Sequence, residues 1–157
     1  MTEETTDETT DETTDAALPA PLAELIDDFE AVGPKDRLQL LLELSEDLPE
    51  LPARYADQPD KLEQVHECQS PLFLAVELTD GVIHLFFDAP REAPTTRGFA
   101  GILHTGLDGQ PAQAVLDVPD DVPFKFGLAE AVSPLRMRGM VAMLSRIKRQ
   151  TRVLLSD

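Results

Sequence analysis

Leu72-Phe73-Leu74-Ala75-Val76-Glu77-Leu78-Thr79-Asp80-Gly81-Val82-Ile83-His84-Leu85-Phe86-Phe87 contains two apolar runs of strand length separated by a single Asp-Gly pair. In the first run Leu72, Leu74, Val76 and Leu78 alternate with Phe73, Ala75 and Glu77, which is the period of a strand with one face on a core. Asp-Gly supplies the two left-handed residues of a tight hairpin turn. An antiparallel hairpin follows. Gln64 to His66 can add a third short strand, which leaves Cys68 in the link between strands, at one end of the sheet.

Helical spacing dominates on both sides of the hairpin. Upstream, Leu22, Leu25, Ile26 and Phe29 recur on one helical face until Gly33-Pro34 interrupts them. Pro34 suits the first turn of a second helix, in which Leu38, Leu41, Leu42 and Leu44 form a stripe, and the two helices are expected to pair as a hairpin. Leu48-Pro49-Glu50-Leu51-Pro52 is too rich in proline for helix or central strand and reads as a connector. Downstream, a helix is predicted over Pro94–Leu107, a short amphipathic piece over Pro111–Leu116 and a Pro-rich passage to Pro123. Ser133, as N-cap ahead of Pro134, opens a last helix with Leu135, Met140, Met143, Leu144 and Ile147 on its apolar stripe. Met137, Met140 and Met143 read as core packing. The order gives an α+β domain whose short antiparallel sheet packs against helices. Gly98, Gly101, Gly106 and Gly109 follow no strand, so they form no dinucleotide-binding fingerprint.

Within residues 1–17, residues 2–15 repeat a Thr-Thr-Asp-Glu theme without one large apolar side chain. They read as a disordered acidic tail ahead of one domain over 18–157. The 157 residues, 42% of them hydrophobic, suffice for one core and no more. Thirty acidic against thirteen basic residues give a formal charge of -17, which repels nucleic acid and anionic lipid. The six Lys and Arg within residues 134–157 make that segment a basic island, either a docking face or a solvated helix surface. With neither a secretory leader nor an apolar stretch of spanning length, and with one cysteine that allows no intramolecular disulfide, the sequence fits the cytoplasm.

That cysteine, Cys68, lies in Glu67-Cys68-Gln69-Ser70-Pro71. A structural cysteine usually sits inside an apolar run, whereas Cys68 has polar neighbours on both sides, the setting in which reactive thiols occur. If residues 66–68 are extended, His66 and Cys68 project to one face, where the imidazole can exchange the thiol proton. His84 and His104 fall in a strand and a helix and read as structural. A Cys-His acyl hydrolase using one of the three histidines and a redox sensor with an oxidisable Cys68 both remain open on the residues alone.

Several pieces, in order, resemble the SufE family of sulfur acceptors. Leu48-Pro49-Glu50-Leu51 is similar to its connector, and Val65-His66 with Cys68-Gln69-Ser70 to its sulfur-acceptor loop. Arg97-Gly98-Phe99 resembles a segment of its central helix, and Ser133-Pro134 with Arg136 and Gly139 the start of its last. The chain departs from the family at Glu67, where Gly is usual, at Phe73, where Trp is usual, and at Glu92-Ala93 in place of Asp-Ala. A Gly before the cysteine implies a backbone that Glu adopts only with strain.

The resemblance implies a SufE/IscU-like fold and a persulfide acceptor, Cys68, that activates a SufS-type cysteine desulfurase and supplies an iron-sulfur scaffold. Arg136 is then the expected stabiliser of the thiolate or persulfide, with His66 tuning the thiol. The chain would bind no cofactor, pyridoxal phosphate being the partner's, and whether it forms a homodimer is left open.

Overall fold

The computed structural model describes residues 18–157, so the acidic repeat lies outside the described residues. The hairpin consists of β2 (Phe73–Thr79) and β3 (Val82–Asp88), paired from Phe73 with Asp88 to Thr79 with Val82. Asp80 and Gly81, at φ 54° and 81°, make the turn with both residues left-handed. The third strand, β1 (Glu63–Gln64), pairs with Phe73 and Leu74 and begins a residue earlier than expected. It ends there because the chain bends into a turn at His66 and Glu67.

One sheet face carries Leu74 and Val76 beside Leu85 and Phe87, all buried. The other mixes Phe73, Ala75 and Phe86 with Glu77 and His84, and the segment after the connector packs on it: Tyr55, in a 3₁₀ turn over Ala53–Asp57, lies 5.3 Å from the Phe86 ring and donates to Glu77 Oε2 at 2.5 Å. The outer edge of β3 is closed by Asp108, whose Oδ1 accepts from Leu85 N at 2.8 Å, and by Gly109 and Gln110, which exchange backbone bonds with Ile83.

Five helices complete the described chain: α1 (Ala20–Glu30), α2 (Pro34–Asp47), α3 (Pro94–Leu107), α4 (Ala112–Leu116) and α5 (Pro134–Ser156). The expected hairpin of α1 on α2 does not form; each lies chiefly on α3 instead. The reason is a glycine-faced α3. A Cβ at Gly98 would come 2.5 Å from Leu41 Cγ, one at Gly101 would run into the Leu44 carbonyl oxygen, and one at Gly106 would come 2.6 Å from Leu22 Cδ1. With these helices in contact, Leu41 is 2% exposed while Leu38 and Leu42, expected on the same stripe, remain 38% and 42% exposed. Similarly, Leu135 on α5 faces out and Met137 takes the buried place beside Met140 and Met143. No helix among the described residues is long and apolar enough to cross a membrane.

Gly101→Ala should therefore lower the unfolding free energy by about 1–3 kcal/mol through overpacking. Leu42→Ala, at an exposed position, should change it by less than about 0.5 kcal/mol. Urea denaturation of both measures the difference, and equal effects would remove the close α2–α3 contact.

Candidate functional site

Cys68 sits in the turn that joins β1 to β2. Val65 N donates to the Leu72 carbonyl at 2.8 Å, closing the base of the loop, and Cys68 N donates to the Val65 carbonyl at 3.1 Å, closing a turn through His66 and Glu67. Residues 66–68 are thus bent rather than extended, and the shared face expected for His66 and Cys68 is lost. His66 is exposed and makes no hydrogen bond or ion pair among the described residues. Glu67 carries no backbone strain: the only non-glycine residue at positive φ among those described is Asp80.

The thiol is half-buried and rests on α5. Its seat is Gly139, where a Cβ would stand 3.0 Å from Cys68 Sγ and 3.4 Å from its Cα. Helix α5 can approach this closely because its start is fixed: the Ser133 hydroxyl accepts from Arg136 N at 3.2 Å, with Pro134 at the first helical position. Arg136 is exposed in that first turn, three residues before Gly139, and has no ion-pair partner among the described residues.

A different arginine grips the cysteine turn. Arg146 lies two helical turns beyond Gly139 on the same face of α5. Its Nη2 stands 2.9 Å from Glu67 Oε1 and its Nε 3.3 Å from Glu63 Oε2. Glu63 is also paired with Arg149 and accepts from Gln150 Nε2 at 2.9 Å. Gln150 Oε1 in turn accepts from Val76 N at 3.0 Å, where β2 continues past the end of β1. Spacing from Gly139 is the signal in the sequence that could have singled out Arg146, because seven residues return a helix to nearly the same face.

Burial pushes the Cys68 thiol up to about 11, the Glu67 carboxylate pushes in the same direction, and the Arg146 charge opposes both. Arg146 holds the Glu67 carboxyl below its ordinary value by its hydrogen bond. Burial pushes Glu63 up, yet the bonds from Gln150 and Arg149 and the charges of both arginines keep it below the usual carboxylate range.

A groove of about 700 Å³ begins at Glu67 and runs along α5, lined by Phe124, Pro134, Met137, Arg138 and Val141 among others, with no histidine. His84 and His104 instead flank Asp108, at 3.9 and 3.7 Å, beside the Pro-rich connector. The groove that begins at Glu67 thus has no histidine in its lining.

Alkylation of Cys68 by iodoacetamide should follow a midpoint near pH 11 in the folded chain, and one near ~8.5 in urea, where burial and neighbours are gone. Because the folded thiol keeps its proton longer than the unfolded one, its contribution to stability is complete below about pH 8.5 and is lost as the pH rises from there through about 11. A folded midpoint near that of a free thiol would contradict the half-buried seat.

Comparison with known proteins agrees with this architecture. The profile of the SufE Fe-S metabolism associated domain matches residues 23–151. An uncharacterized SufE-like protein of Mycobacterium tuberculosis is 56% identical over 137 residues, spanning 87% of this chain and 94% of that one. SufE-like protein 1 of Arabidopsis thaliana is 26% identical over 134 residues, 85% of this chain and 35% of that one. The solution structure of a hypothetical protein from Thermus thermophilus superimposes with a TM-score of 0.79 at 38% identity, covering 89% of this chain and 99% of the other. With its sheet, its glycine-faced central helix and its cysteine turn seated on the last helix, the chain belongs to the SufE family of Fe-S metabolism proteins.

Proposed function

We propose that this protein accepts sulfur from a pyridoxal-phosphate-dependent cysteine desulfurase of the SufS type, carries it as a persulfide on Cys68 and thereby speeds the desulfurase's turnover. The observation that supports this most is the seat of the chain's single thiol, half accessible in a tight Cys-Gln-Ser turn against Gly139, with a groove beginning at the neighbouring Glu67. Membership of a family associated with Fe-S metabolism supports an iron-sulfur scaffold as the destination of the persulfide.

The transfer is a thiol-persulfide exchange without net oxidation. Cys68 loses its proton and attacks the terminal sulfur of the donor's Cys-S-SH; the donor's S–S bond breaks as the new one forms, and the departing thiolate takes up a proton. The products are a Cys68 persulfide and a free donor thiol. His66, exposed in the same turn, no longer shares a face with the thiol, and the Cys68 proton leaves to solvent from the half-exposed turn. Arg136, exposed at the start of α5, is the candidate to meet the anionic sulfur once the partner is bound. A single cysteine suits a carrier, since a neighbouring thiol would discharge the persulfide as a disulfide.

The redox-sensor reading fits less well. A thiol with its acidity pushed to about 11 exposes little thiolate to peroxide at neutral pH. Sulfur carriage needs deprotonation only while the partner is docked.

Incubation with a purified SufS-type desulfurase and L-cysteine, followed by intact-mass analysis without reductant, should add one sulfur to the wild-type chain and none to Cys68→Ser. Alanine release should be faster with the wild type only. Unmodified protein and unchanged alanine release would refute the assignment.

A further inference from the structure

The Arg146 side chain is held from two directions, by Glu67 of the cysteine turn at 2.9 Å and by Glu63 of β1 at 3.3 Å, and is only 19% exposed. Glu63 is paired again, by Arg149 and Gln150, so it is anchored independently of Arg146. Glu67 is not. Its only ion pair among the described residues is the one with Arg146, its side chain is 46% exposed, and it lies next in sequence to Cys68. A pair with one member locked and the other on an exposed turn can open at the turn and leave the cation in place.

We propose that Arg146 is a positioning residue for Cys68: it holds the cysteine turn closed through Glu67, and when Glu67 lets go, its charge becomes available to the sulfur. This rests on reading Cys68 as the sulfur acceptor. In the closed turn the Glu67 carboxylate takes up the Arg146 guanidinium and adds its own negative charge beside the sulfur, so Cys68 stays protonated and inert. In the open turn the nearest anion to Arg146, apart from Glu63, is the Cys68 sulfur or the persulfide it carries. Among the other charged groups of these elements, His66, Arg136 and Arg138 are exposed and without ion-pair partners among the described residues, Arg149 is engaged with Glu63 and Lys148 with Asp120. Glu67 thus acts as a shield between the Arg146 charge and the Cys68 sulfur.

The test is the pH profile of Cys68 alkylation in the full-length chain, with no desulfurase present, for wild type, Glu67→Gln, Arg146→Gln and Arg146→Lys. Removing the carboxylate should move the midpoint down by roughly half to one pH unit and speed alkylation at pH 8 about three- to ten-fold. Arg146→Gln should move the midpoint up by a similar amount, and Arg146→Lys, which keeps the charge, should return it toward wild type.

Opposite signs for Glu67→Gln and Arg146→Gln are the signature, because a merely structural pair would loosen the turn in both variants and shift both midpoints down. Shifts in the same direction, or none, would overturn the proposal. Circular dichroism identifies any variant that fails to fold, and Arg146→Lys then decides alone: a midpoint displaced as far as that of urea-unfolded protein counts against the proposal. A separate arm measures sulfur uptake from a charged desulfurase. Failure there with opposite-signed midpoints would remove the sulfur-acceptor reading and leave the control of the thiol by Arg146 standing.

Discussion

The contact between the cysteine turn and the last helix at Gly139 is the constraint on which the site depends. A Cβ there would stand 3.0 Å from the Cys68 sulfur, so the turn can sit at this depth only on a bare stretch of helix backbone. Everything nearby serves to keep that stretch in register. Ser133 fixes where α5 begins, Met137, Met140 and Met143 hold its inner face in the core, and Gln150 reaches the backbone of β2. A helix pinned at its start, middle and sheet contact gives the loop one place to rest.

Charge follows the same geometry. The chain is strongly acidic overall, yet six of its basic residues gather on α5, and three of those six are paired with carboxylates: Arg146 with Glu63 and Glu67, Lys148 with Asp120, and Arg149 with Glu63. The basic island is therefore in large part the anchor of the cysteine turn and of the passage before α5, rather than a surface left over for a partner. The pairs are partly exposed, and each contributes modestly to stability. Their effect is on position: they determine how deep the thiol lies and which charges it feels.

Much of this was readable from residues alone. Period-two alternation and Asp80-Gly81 identified the hairpin, and Ser133-Pro134 and the Gly33-Pro34 break marked helix starts because capping and proline chemistry are local. Cys68 stood out because its neighbours are polar. What escaped were the features set by contacts between distant segments. The close seating of Leu41 and Leu44 on Gly98 and Gly101, and of Leu22 on Gly106, places α2 and α1 on α3, which helical spacing within each segment cannot reveal. The turn at His66 and Glu67 replaces an extended stretch because Cys68 N bonds back to Val65, and no hydrophobic pattern encodes that bond. The sequence motif points to Arg136 at the start of α5, whereas the ion pair that grips the cysteine turn is made by Arg146, two turns beyond Gly139.

The central claim is that sulfur passes directly to Cys68. A SufS-type desulfurase charged with sulfur-35 from L-cysteine, freed of excess substrate and mixed once with this chain, tests it most directly. With Cys68 as the acceptor, the label leaves the desulfurase and appears on the wild-type chain in a form released by dithiothreitol, with no transfer to Cys68→Ser. Label that stays on the desulfurase, or that reaches Cys68→Ser equally well, would contradict it.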